Sequence, residues 1–276
     1  MARRWLVTGC SSGLGLALAR AVAAAGDTVV ATARKPVALD GLVGEHRGRV
    51  VPVALDVRDP GQCAEAVAVA VDRLGGLDVL VNNAGCGLFG AVEEVGDDEL
   101  RDQLEILVVG PWRLARLALP VMRAQRGGHI LNVSSLAGRT AFPGLAAYVT
   151  GKHALEGMTQ ALAAEAAPFG IRVAALEPGG YATRYGSSLA DAAGRSPDYA
   201  EFTGPMRSAL GALAEVPGVG RPEDFARQVL RIVEASGPLP VRIPVGPGSA
   251  EHLTAVEEAA RAEIAAARAL LAPPRT

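Results

Sequence analysis

A tyrosine and a lysine stand four residues apart in the stretch AAYVTGKHAL, residues 146–155. The stretch favours a helix, in which positions i and i+4 lie on one face about one turn apart. Tyr148 and Lys152 are therefore expected to stand side by side. A fixed cation beside a phenol lowers the pKa of the phenol, so the pair predicts a group ready to exchange a proton. The alternative interpretation is a surface pair on an amphipathic helix.

A glycine-rich stretch near the start, TGCSSGLG at residues 8–15, predicts a site for phosphate groups. It follows a strand-like run, RWLV, and precedes a run with helical spacing. Gly9, Gly13 and Gly15 leave room for a ligand to approach the backbone. The start of the following helix offers free N–H groups and the positive end of its dipole. A strand, a glycine turn and a helix in this order indicate dinucleotide binding.

The end of the second strand-like run indicates which dinucleotide is preferred. Sites for NAD usually have an acid here to bind the ribose hydroxyls, whereas an arginine suits the 2′-phosphate of NADP. The run TVVATARKP ends in Arg34 and Lys35 and has no acid nearby. We therefore predict that NADP(H) is preferred over NAD(H) and that Arg34 contributes to its binding. Ordinary solvated basic side chains at a strand end are the alternative.

Length, charge and cysteine content exclude several classes of function. The chain has 276 residues, half of them apolar, and a formal net charge of −2, so it can build a large core but has no electrostatic support for nucleic-acid binding. Cys10, Cys63 and Cys86 form no CxxC pair and are expected to be reduced thiols of a cytoplasmic protein. No signal peptide is expected, and no apolar run reaches the roughly 20 residues of a membrane span. The histidines are too scattered to predict a metal site.

Short runs rich in Val, Leu and Ile alternate with helical patterns along the chain. Such alternation is typical of βαβ units and of a parallel sheet buried on both faces, so it predicts an α/β fold. Helices are expected at about 97–125 and 146–167. Residues 180–222 are rich in Gly, Ser, Ala and Pro, which predicts an irregular lid over a substrate, and a helix is expected at the C-terminal end. One domain spanning residues 1–276 is the simplest account.

Five motifs in order, over about residues 5–185, resemble the short-chain dehydrogenases/reductases. The glycine stretch is similar to the family's TGxxxGxG loop, NNAG at residues 82–85 to its motif after the fourth strand, and Tyr148 with Lys152 to its YxxxK pair. Ser135 lies thirteen residues before the tyrosine, which is the family's spacing for a catalytic serine, and PGGYAT at residues 178–183 is similar to its PGxxxT segment. The resemblance implies a single Rossmann-type domain, a doubly wound parallel sheet with helices on both faces.

The resemblance also implies an oxidoreductase that interconverts a ketone or aldehyde and an alcohol with a nicotinamide cofactor. Tyr148 would protonate the carbonyl oxygen as hydride reaches the carbon, Ser135 would hold that oxygen, and Lys152 would lower the pKa of Tyr148 and bind the nicotinamide ribose. Asp56 would bind the adenine, and Thr183 the carboxamide. The expected cofactor-binding residues are Gly9, Ser11, Ser12, Gly13, Leu14, Gly15, Arg34, Asp56, Val57, Asn83, Ala84, Gly85, Tyr148, Lys152, Pro178, Gly179 and Thr183.

One position departs from the family pattern. Aligning Gly110 with the glycine of the family's NVxG stretch puts Leu107 where many members have a catalytic asparagine. In the family that asparagine binds a water that links the lysine to solvent, and a leucine side chain has no hydrogen-bonding group to do so. Three interpretations follow: a reductase whose relay is re-formed by other groups, a non-redox enzyme such as a dehydratase, epimerase or cyclase, or a protein that binds NADPH without turnover. The intact Ser135, Tyr148 and Lys152 favour the first.

Four residues near the expected site are candidates for contact with a small carbonyl or alcohol substrate. Cys86, Phe142, Tyr181 and Tyr185 flank that site in the sequence. Aromatic lining suits an apolar carbonyl compound. Packing within the core or the lid is the alternative.

The long helix at about 97–125 is apolar around much of its circumference, which predicts burial on two sides. In the family this helix and the one that carries the tyrosine pair across a two-fold axis, so the resemblance implies a homodimer or homotetramer. Glu156 and Glu165 on the tyrosine helix are expected to be solvated or to lie at that interface. No membrane or nucleic-acid partner is expected.

Overall fold

A seven-stranded parallel β-sheet lies at the centre of the protein in a computed structural model, which describes residues 2–272. In chain order the strands are β1 Arg4–Val7, β2 Thr28–Ala33, β3 Val50–Ala54, β4 Val79–Asn82, β5 Leu88–Phe89, β6 Gly128–Val133, β7 Ile171–Pro178, β8 Ala190–Asp191 and β9 Arg242–Val245. The large sheet has the order β3-β2-β1-β4-β6-β7-β9 with every pair parallel, whereas β5 pairs with β8 outside it. This order confirms the predicted doubly wound sheet.

The central strands bury their side chains on both faces of the sheet. Trp5 and Val7 belong to one apolar cluster, whereas Leu6 between them belongs to the cluster on the opposite face. On β2, Val29 and Val30 divide between the two clusters in the same way. Because successive side chains of a strand point to opposite faces, a strand covered on both sides needs an unbroken apolar run. That requirement explains why these strands are readable in the sequence as continuous runs of Val, Leu and Ile.

Two layers of helices cover the sheet, as predicted. Within residues 2–272 the α-helices are α1 Gly13–Ala24, α2 Asp40–Glu45, α3 Pro60–Leu74, α4 Asp97–Leu104, α5 Gly110–Gln125, α6 Ala146–Ala166, α7 Ala200–Gly211, α8 Pro222–Glu234 and α9 Ser249–Leu270. Helices α1 and α8 pack together on one face, and α3, α5 and α6 cover the other. Over the described residues, no helix combines the length and the apolar character that crossing a membrane demands.

The predicted helix at 97–125 is continuous but not uniform. A π-helical turn, Glu105–Val109, lies between α4 and α5. Such turns are rare in proteins, and those that occur often lie at functional sites. Leu107 stands in the middle of the turn, and its side chain is 1% exposed. Leu107, the residue that departs from the family pattern, is therefore buried in an irregular helical turn.

The segment of residues 180–222 contains short turns, strand β8 and helix α7, in agreement with the irregular segment predicted there. Arg207 on α7 donates from Nε to Asp191 Oδ1 at 3.0 Å and from Nη1 to the Gly186 carbonyl oxygen at 3.2 Å. Glu94, which precedes α4, accepts a hydrogen bond from the Ser196 backbone N–H at 2.8 Å. These bonds connect the segment to itself and to the turn before α4. Its role as a substrate lid, and the single-domain organisation, stay predictions.

Candidate active site

The glycine-rich stretch lies at the carboxyl edge of the sheet, where the strand order changes direction between β1 and β4. Ligands of doubly wound sheets bind in the crevice at this point. The Thr8 hydroxyl oxygen accepts hydrogen bonds from the backbone N–H groups of Asn83 at 2.9 Å and Ala84 at 2.8 Å. Asn83 Nδ2 donates in turn to the Thr8 carbonyl oxygen at 2.8 Å. The NNAG motif after β4 therefore holds the glycine stretch after β1.

The geometry of the glycine stretch fits a phosphate group. Gly9 and Gly13 have φ angles of 73° and 58°, a region that favours glycine. A Cβ on Gly15 would clash with the Gly9 carbonyl oxygen. The first turn of α1 carries no acid, and the side chain of its N-cap residue, Ser12, makes no capping bond to the described residues. The first N–H groups of α1 are therefore available to an anion.

The end of β2 meets the residues after β3 in a cluster of charges. Arg34 is exposed there, beside Asp56. Arg58 Nη2 lies 2.6 Å from Asp56 Oδ2, and Arg58 Nη1 lies 2.7 Å from Asp102 Oδ1. The hydrogen bonds from Arg58, with the charge of Arg34, hold the pKa of Asp56 below its ordinary value, although burial opposes them. Sequence reasoning did not single out Arg58, and an arginine two residues after the expected adenine-binding acid is the signal that was available.

Other predicted cofactor residues border the same crevice. The methyl carbon of Thr183 would lie 3.5 Å from a Cβ on Gly13, so the segment after β7 comes close to the glycine stretch. A Cβ on Gly85 would lie 3.9 Å from Lys152 Nζ. Gly179 donates its N–H to the Val245 carbonyl oxygen at 3.1 Å. Of the remaining predicted residues, Ser11 is exposed, Leu14 is half-buried, and Val57 and Pro178 are buried.

Ser135, Tyr148 and Lys152 converge at the carboxyl end of β6. Lys152 Nζ donates to the carbonyl oxygen of Val133 at 2.7 Å and lies 5.6 Å from the centre of the Tyr148 ring. The two side chains share one face of α6, and both residues are buried, with 8% of Tyr148 and 5% of Lys152 exposed. The Ser135 hydroxyl oxygen accepts the Ala137 N–H at 3.1 Å, and this hydroxyl acts to lower the pKa of Tyr148. The serine hydroxyl therefore lies within reach of the Tyr148 phenol.

The predicted lowering of the Tyr148 pKa by Lys152 stays a prediction, and burial acts on both groups. Burial raises the pKa of Tyr148, and the hydroxyls of Ser135 and Tyr185 only partly counter it. Burial also lowers the pKa of Lys152 to about 8. Tyr148 and Lys152 lie one turn apart on α6 as predicted, and the ammonium group of Lys152 donates to the Val133 carbonyl oxygen of β6. Desolvation of the phenol outweighs the effect of the Ser135 and Tyr185 hydroxyls on its pKa.

Leu107 packs directly against the lysine side of this site. A Cβ on Gly85 would lie 3.3 Å from Leu107 Cδ2, and a Cβ on Gly151 would lie 2.8 Å from Leu107 Cδ1. Its apolar cluster also contains Phe89 and Tyr148. An apolar side chain thus fills the position where the family pattern has an asparagine.

Three of the four predicted substrate contacts border the site, and one does not. Phe142 and Tyr185 pack against the apolar cluster that contains Tyr148, and Cys86 is exposed beside the NNAG motif. Tyr181 is 4% exposed and packs edge-on against Phe225, with 5.8 Å between ring centres. The prediction for Tyr181 is corrected to core packing, because its side chain joins the cluster between α8 and the sheet.

The prediction that Glu156 is solvated or lies at a subunit interface is also wrong, because the chain itself buries it. This side chain lies one turn beyond Lys152 on α6 and is 2% exposed. Its Oε2 atom is 3.5 Å from Arg242 Nε on β9, and its Cγ atom borders Gly138 after β6. Burial raises the pKa of Glu156. Long-range packing by β9 covers a helix face that the sequence shows only as polar, whereas Glu165 is exposed as predicted.

Lys152→Met is expected to stabilise the cofactor-free protein at neutral pH. The lysine pKa falls from 10.5 to about 8 on folding, so the unfolded chain binds more protons between these values and stability rises with pH there. Below about pH 8 the full cost of the buried charge, about 3 kcal/mol, is present. Loss of the bond to Val133 costs about 1 kcal/mol, which leaves a net gain of about 2 kcal/mol at pH 7.

Urea unfolding at pH 7 and at pH 10 measures this difference. The gain from Lys152→Met is expected to shrink strongly at pH 10, and an equal gain at both pH values would contradict the assigned cause. The sequence contains one other lysine, Lys35, which is exposed. Lys35→Met is therefore a matched control, expected to change stability by less than about 0.5 kcal/mol.

Comparison with known proteins identifies the family. The sequence profile described as short chain dehydrogenase matches residues 3–193. Oxidoreductase BOA17 of Botryotinia fuckeliana is 40% identical over 91% of this chain and 92% of its own length. The 3-ketodihydrosphingosine reductase of Bacteroides thetaiotaomicron is 33% identical over 88% of this chain and 87% of its own. The crystal structure of a short-chain dehydrogenase from Streptomyces avermitilis superimposes with a TM-score of 0.89 at 40% identity, covering 98% of this chain and 97% of that one.

These similarities extend over the part of the chain that carries the glycine stretch, the NNAG motif and the Ser135, Tyr148 and Lys152 cluster. Both relatives and the solved structure match at nearly full length, so the fold and its motifs are shared together. The chain belongs to the short-chain dehydrogenase/reductase family of oxidoreductases, whose members bind a nicotinamide cofactor.

Proposed function

We propose that the protein is an NADP(H)-dependent oxidoreductase that interconverts an apolar ketone or aldehyde and its alcohol. One observation carries the proposal: Ser135, Tyr148 and Lys152 converge beside a glycine stretch whose helix start is available to a phosphate. A proton donor and a dinucleotide site side by side are what hydride transfer to a carbonyl carbon requires. Membership of the family supports the same chemistry.

A bound nicotinamide supplies hydride to the carbonyl carbon, or accepts it in the reverse direction. Tyr148 donates its hydroxyl proton to the carbonyl oxygen during reduction and takes it back during oxidation. Ser135 donates a hydrogen bond to the same oxygen with its hydroxyl proton, while its hydroxyl oxygen accepts the Ala137 N–H. Lys152, held by the Val133 carbonyl oxygen, keeps a positive charge beside the Tyr148 ring at neutral pH.

The residues proposed to hold the cofactor follow the crevice from one end to the other. Around the glycine stretch, the backbone N–H groups at the start of α1 would bind the phosphates. Arg34 would bind the 2′-phosphate, Asp56 the adenine, and Thr183 the carboxamide. The other members of the proposed set are Gly9, Ser11, Ser12, Gly13, Leu14, Gly15, Val57, Asn83, Ala84, Gly85, Tyr148, Lys152, Pro178 and Gly179.

Arg34→Ala is expected to weaken NADPH binding roughly 10- to 100-fold and to change NADH binding little. A charge-assisted hydrogen bond to the 2′-phosphate would be lost, and such bonds contribute roughly 1.5–3 kcal/mol. Fluorescence titration of the two cofactors with the natural protein and the variant measures the difference. An equal loss for both cofactors would remove Arg34 from recognition of the 2′-phosphate. Lys35→Ala is the control on the neighbouring exposed cation.

The cleft beside Tyr148 supports an apolar substrate. Phe142, Tyr185, Met206 and Leu210 pack around the cluster that contains Tyr148. Pockets lined by apolar and aromatic groups with few polar atoms bind apolar ligands and orient them by those few polar atoms. The Bacteroides relative is named for a ketone, 3-ketodihydrosphingosine. We therefore propose ketones with an apolar chain or ring as the substrate class.

Oxidation of NADPH across a panel of apolar ketones and aldehydes tests the proposal, after NADPH binding has been measured by fluorescence. Turnover by the natural protein is the expected result, and the best substrate narrows the class. The reverse reaction with the matching alcohols and NADP⁺ completes the panel. Tight cofactor binding with no turnover in either direction would overturn the proposal.

A second candidate function rests on Leu107. This buried leucine leaves no hydrogen-bonding side chain at the position of the family's relay asparagine, which favours an NADPH-binding protein or a non-redox enzyme. That candidate predicts that the protein binds NADPH without converting any carbonyl compound. It also predicts that Tyr148→Phe has little effect on this binding. The intact cluster of Ser135, Tyr148 and Lys152 favours the reductase.

We also propose a homodimer or homotetramer that pairs through the helical run from α4 to α5. On this run Trp112 is 58% exposed and Val109 is 38% exposed. An exposed tryptophan beside apolar neighbours fits burial by a second copy. Light scattering at micromolar concentration is expected to give a mass of two or four chains, and a mass of one chain would contradict the proposal.

A cytoplasmic location is proposed from the cysteines. Cys10, Cys63 and Cys86 are all free thiols in the described part of the chain. Burial raises the pKa of Cys10, to about 12, and of Cys63, so these two are poorly reactive as thiolates. Unpaired thiols are typical of proteins in a reducing compartment.

A further inference from the structure

Tyr185 brings a second phenol to the proposed acid. Its ring centre lies 5.5 Å from that of Tyr148, with the two rings tilted by 50°. Its hydroxyl oxygen is buried and has no hydrogen-bond partner among the described residues. An unpaired buried hydroxyl is costly, so a phenylalanine would be the better packing residue here. A donor kept in an apolar cleft beside the reacting position therefore needs a reason beyond packing.

The position of the Tyr185 hydroxyl is fixed by its neighbours. A Cβ on Gly87 would lie 2.7 Å from Tyr185 Oη, so only a glycine there admits the tip of the phenol. The Tyr185 backbone N–H donates to Thr183 Oγ1 at 3.3 Å. Leu189 also borders Gly87 and belongs to the cluster that contains Tyr148. The ring is thus held between the segment after β7 and the loop after the NNAG motif.

The two phenols are close enough to affect each other's ionisation through their hydroxyl groups. Burial raises the pKa of Tyr185 well above its ordinary value, and the neighbouring Tyr148 raises it further. The same neighbour acts in the opposite direction on Tyr148 and lowers its pKa. Tyr185 thus stays protonated as a donor, and Tyr148 is the phenol that ionises first. The other groups facing Tyr148 are Ser135, the Cys86 thiol and Lys152 on its own helix.

We propose that Tyr185 is a positioning residue that donates a hydrogen bond to the phenolate oxygen of Tyr148 and stabilises that ionised form. The Tyr148 oxygen is a close neighbour of the Tyr185 hydroxyl, since the ring centres are 5.5 Å apart and the two hydroxyl groups affect each other's pKa. No bond is broken in this step: the Tyr185 proton stays on Tyr185, while the Tyr148 proton moves to or from the substrate oxygen. Tyr185 thereby supports the ionised Tyr148 in a chain where Leu107 occupies the place of a relay asparagine. The inference rests on the proposed role of Tyr148 as acid and base.

The pH profile of alcohol oxidation tests the inference, because oxidation needs the ionised Tyr148. In Tyr185→Phe the rising limb of kcat/KM is expected to move about one pH unit upward, with about a tenfold loss below that limb. The limiting rate at high pH and the affinity for NADP⁺ are expected to stay the same. A profile that falls uniformly, or does not change, would overturn the inference.

Tyr181→Phe is the matched control, since it removes one hydroxyl from another buried tyrosine, which bonds to Gln228 at 3.3 Å. It is expected to leave the profile in place. A second measurement needs no turnover, because the near-ultraviolet absorbance of phenolate reports tyrosine ionisation in the protein with NADP⁺ bound. The chain has four tyrosines, so the signal of Tyr148 must be assigned. The Tyr148 signal, identified by its loss in Tyr148→Phe, should titrate about one unit higher in Tyr185→Phe. A shift without turnover would support Tyr185 and overturn the proposed reductase, whereas turnover without a shift would do the reverse.

Discussion

Tyr148→Phe is expected to lower kcat for carbonyl reduction roughly 10²- to 10⁴-fold, which is the range that general acid catalysis contributes. The substitution removes one hydroxyl and leaves the buried ring, so the fold and the affinity for NADPH are expected to change little. Steady-state NADPH oxidation with the best ketone of the panel measures the loss. The pH profile of the residual rate adds a second observation, because the limb that belongs to Tyr148 should disappear.

Tyr181→Phe again provides the comparison for this first prediction. Both tyrosines are buried, at 8% and 4% exposed, but Tyr181 lies in the cluster between α8 and the sheet. We expect Tyr181→Phe to keep kcat within about threefold of that of the natural protein, because the lost hydroxyl is remote from the reacting atoms. If Tyr148→Phe kept most of its turnover, another group would have to supply the proton, and the assignment of the acid would fail.

The second large effect is expected at Leu107. Leu107→Asn should lower the free energy of unfolding by roughly 2–4 kcal/mol, because it removes buried apolar atoms and places an amide in an apolar cluster. Urea unfolding of the cofactor-free protein measures this. Leu107→Met keeps the volume and the apolar character, so its cost should stay below about 1.5 kcal/mol. An unchanged stability in Leu107→Asn would show that water or a polar group already reaches this position.

The same variant separates the candidate functions when NADPH oxidation is measured beside the natural protein. Turnover by the natural protein would establish a reductase that does not need the asparagine. Activity only in Leu107→Asn would mean that the leucine interrupts the relay and that the native task is not carbonyl reduction. Silence from both, with tight NADPH binding, would favour the non-redox candidate.

The raised pKa of Tyr148 suits the donation of a proton better than its removal. Burial keeps the phenol protonated at neutral pH in the cofactor-free protein. A carbonyl oxygen that gains hydride at its carbon is a strong base, so a protonated phenol beside it is a competent acid. Oxidation of an alcohol needs the ionised phenol, and we expect that direction to require the higher pH.

Much of the fold and of the site was predictable from local patterns. Central strands such as β1 and β2 contain continuous apolar runs because helices cover both of their faces, and helix α6 carries Tyr148 and Lys152 with the expected spacing. The glycine stretch and NNAG meet because parallel strands β1 and β4 end at the same edge of one sheet. Such features depend on backbone periodicity and on connection order, which a sequence contains.

The amino-acid sequence alone thus determined the class of fold, the order of its motifs and the residues that could exchange a proton or hold a phosphate. The tertiary structure alone decided the burial of Glu156, the core position of Tyr181, the closeness of Tyr185 to Tyr148 and the direction of the Tyr148 pKa. These outcomes depend on residues distant in the chain, such as Arg242 beside Glu156 and Gly87 beside Tyr185. Desolvation and side-chain contact are sums over such neighbours in space, and no local pattern records them.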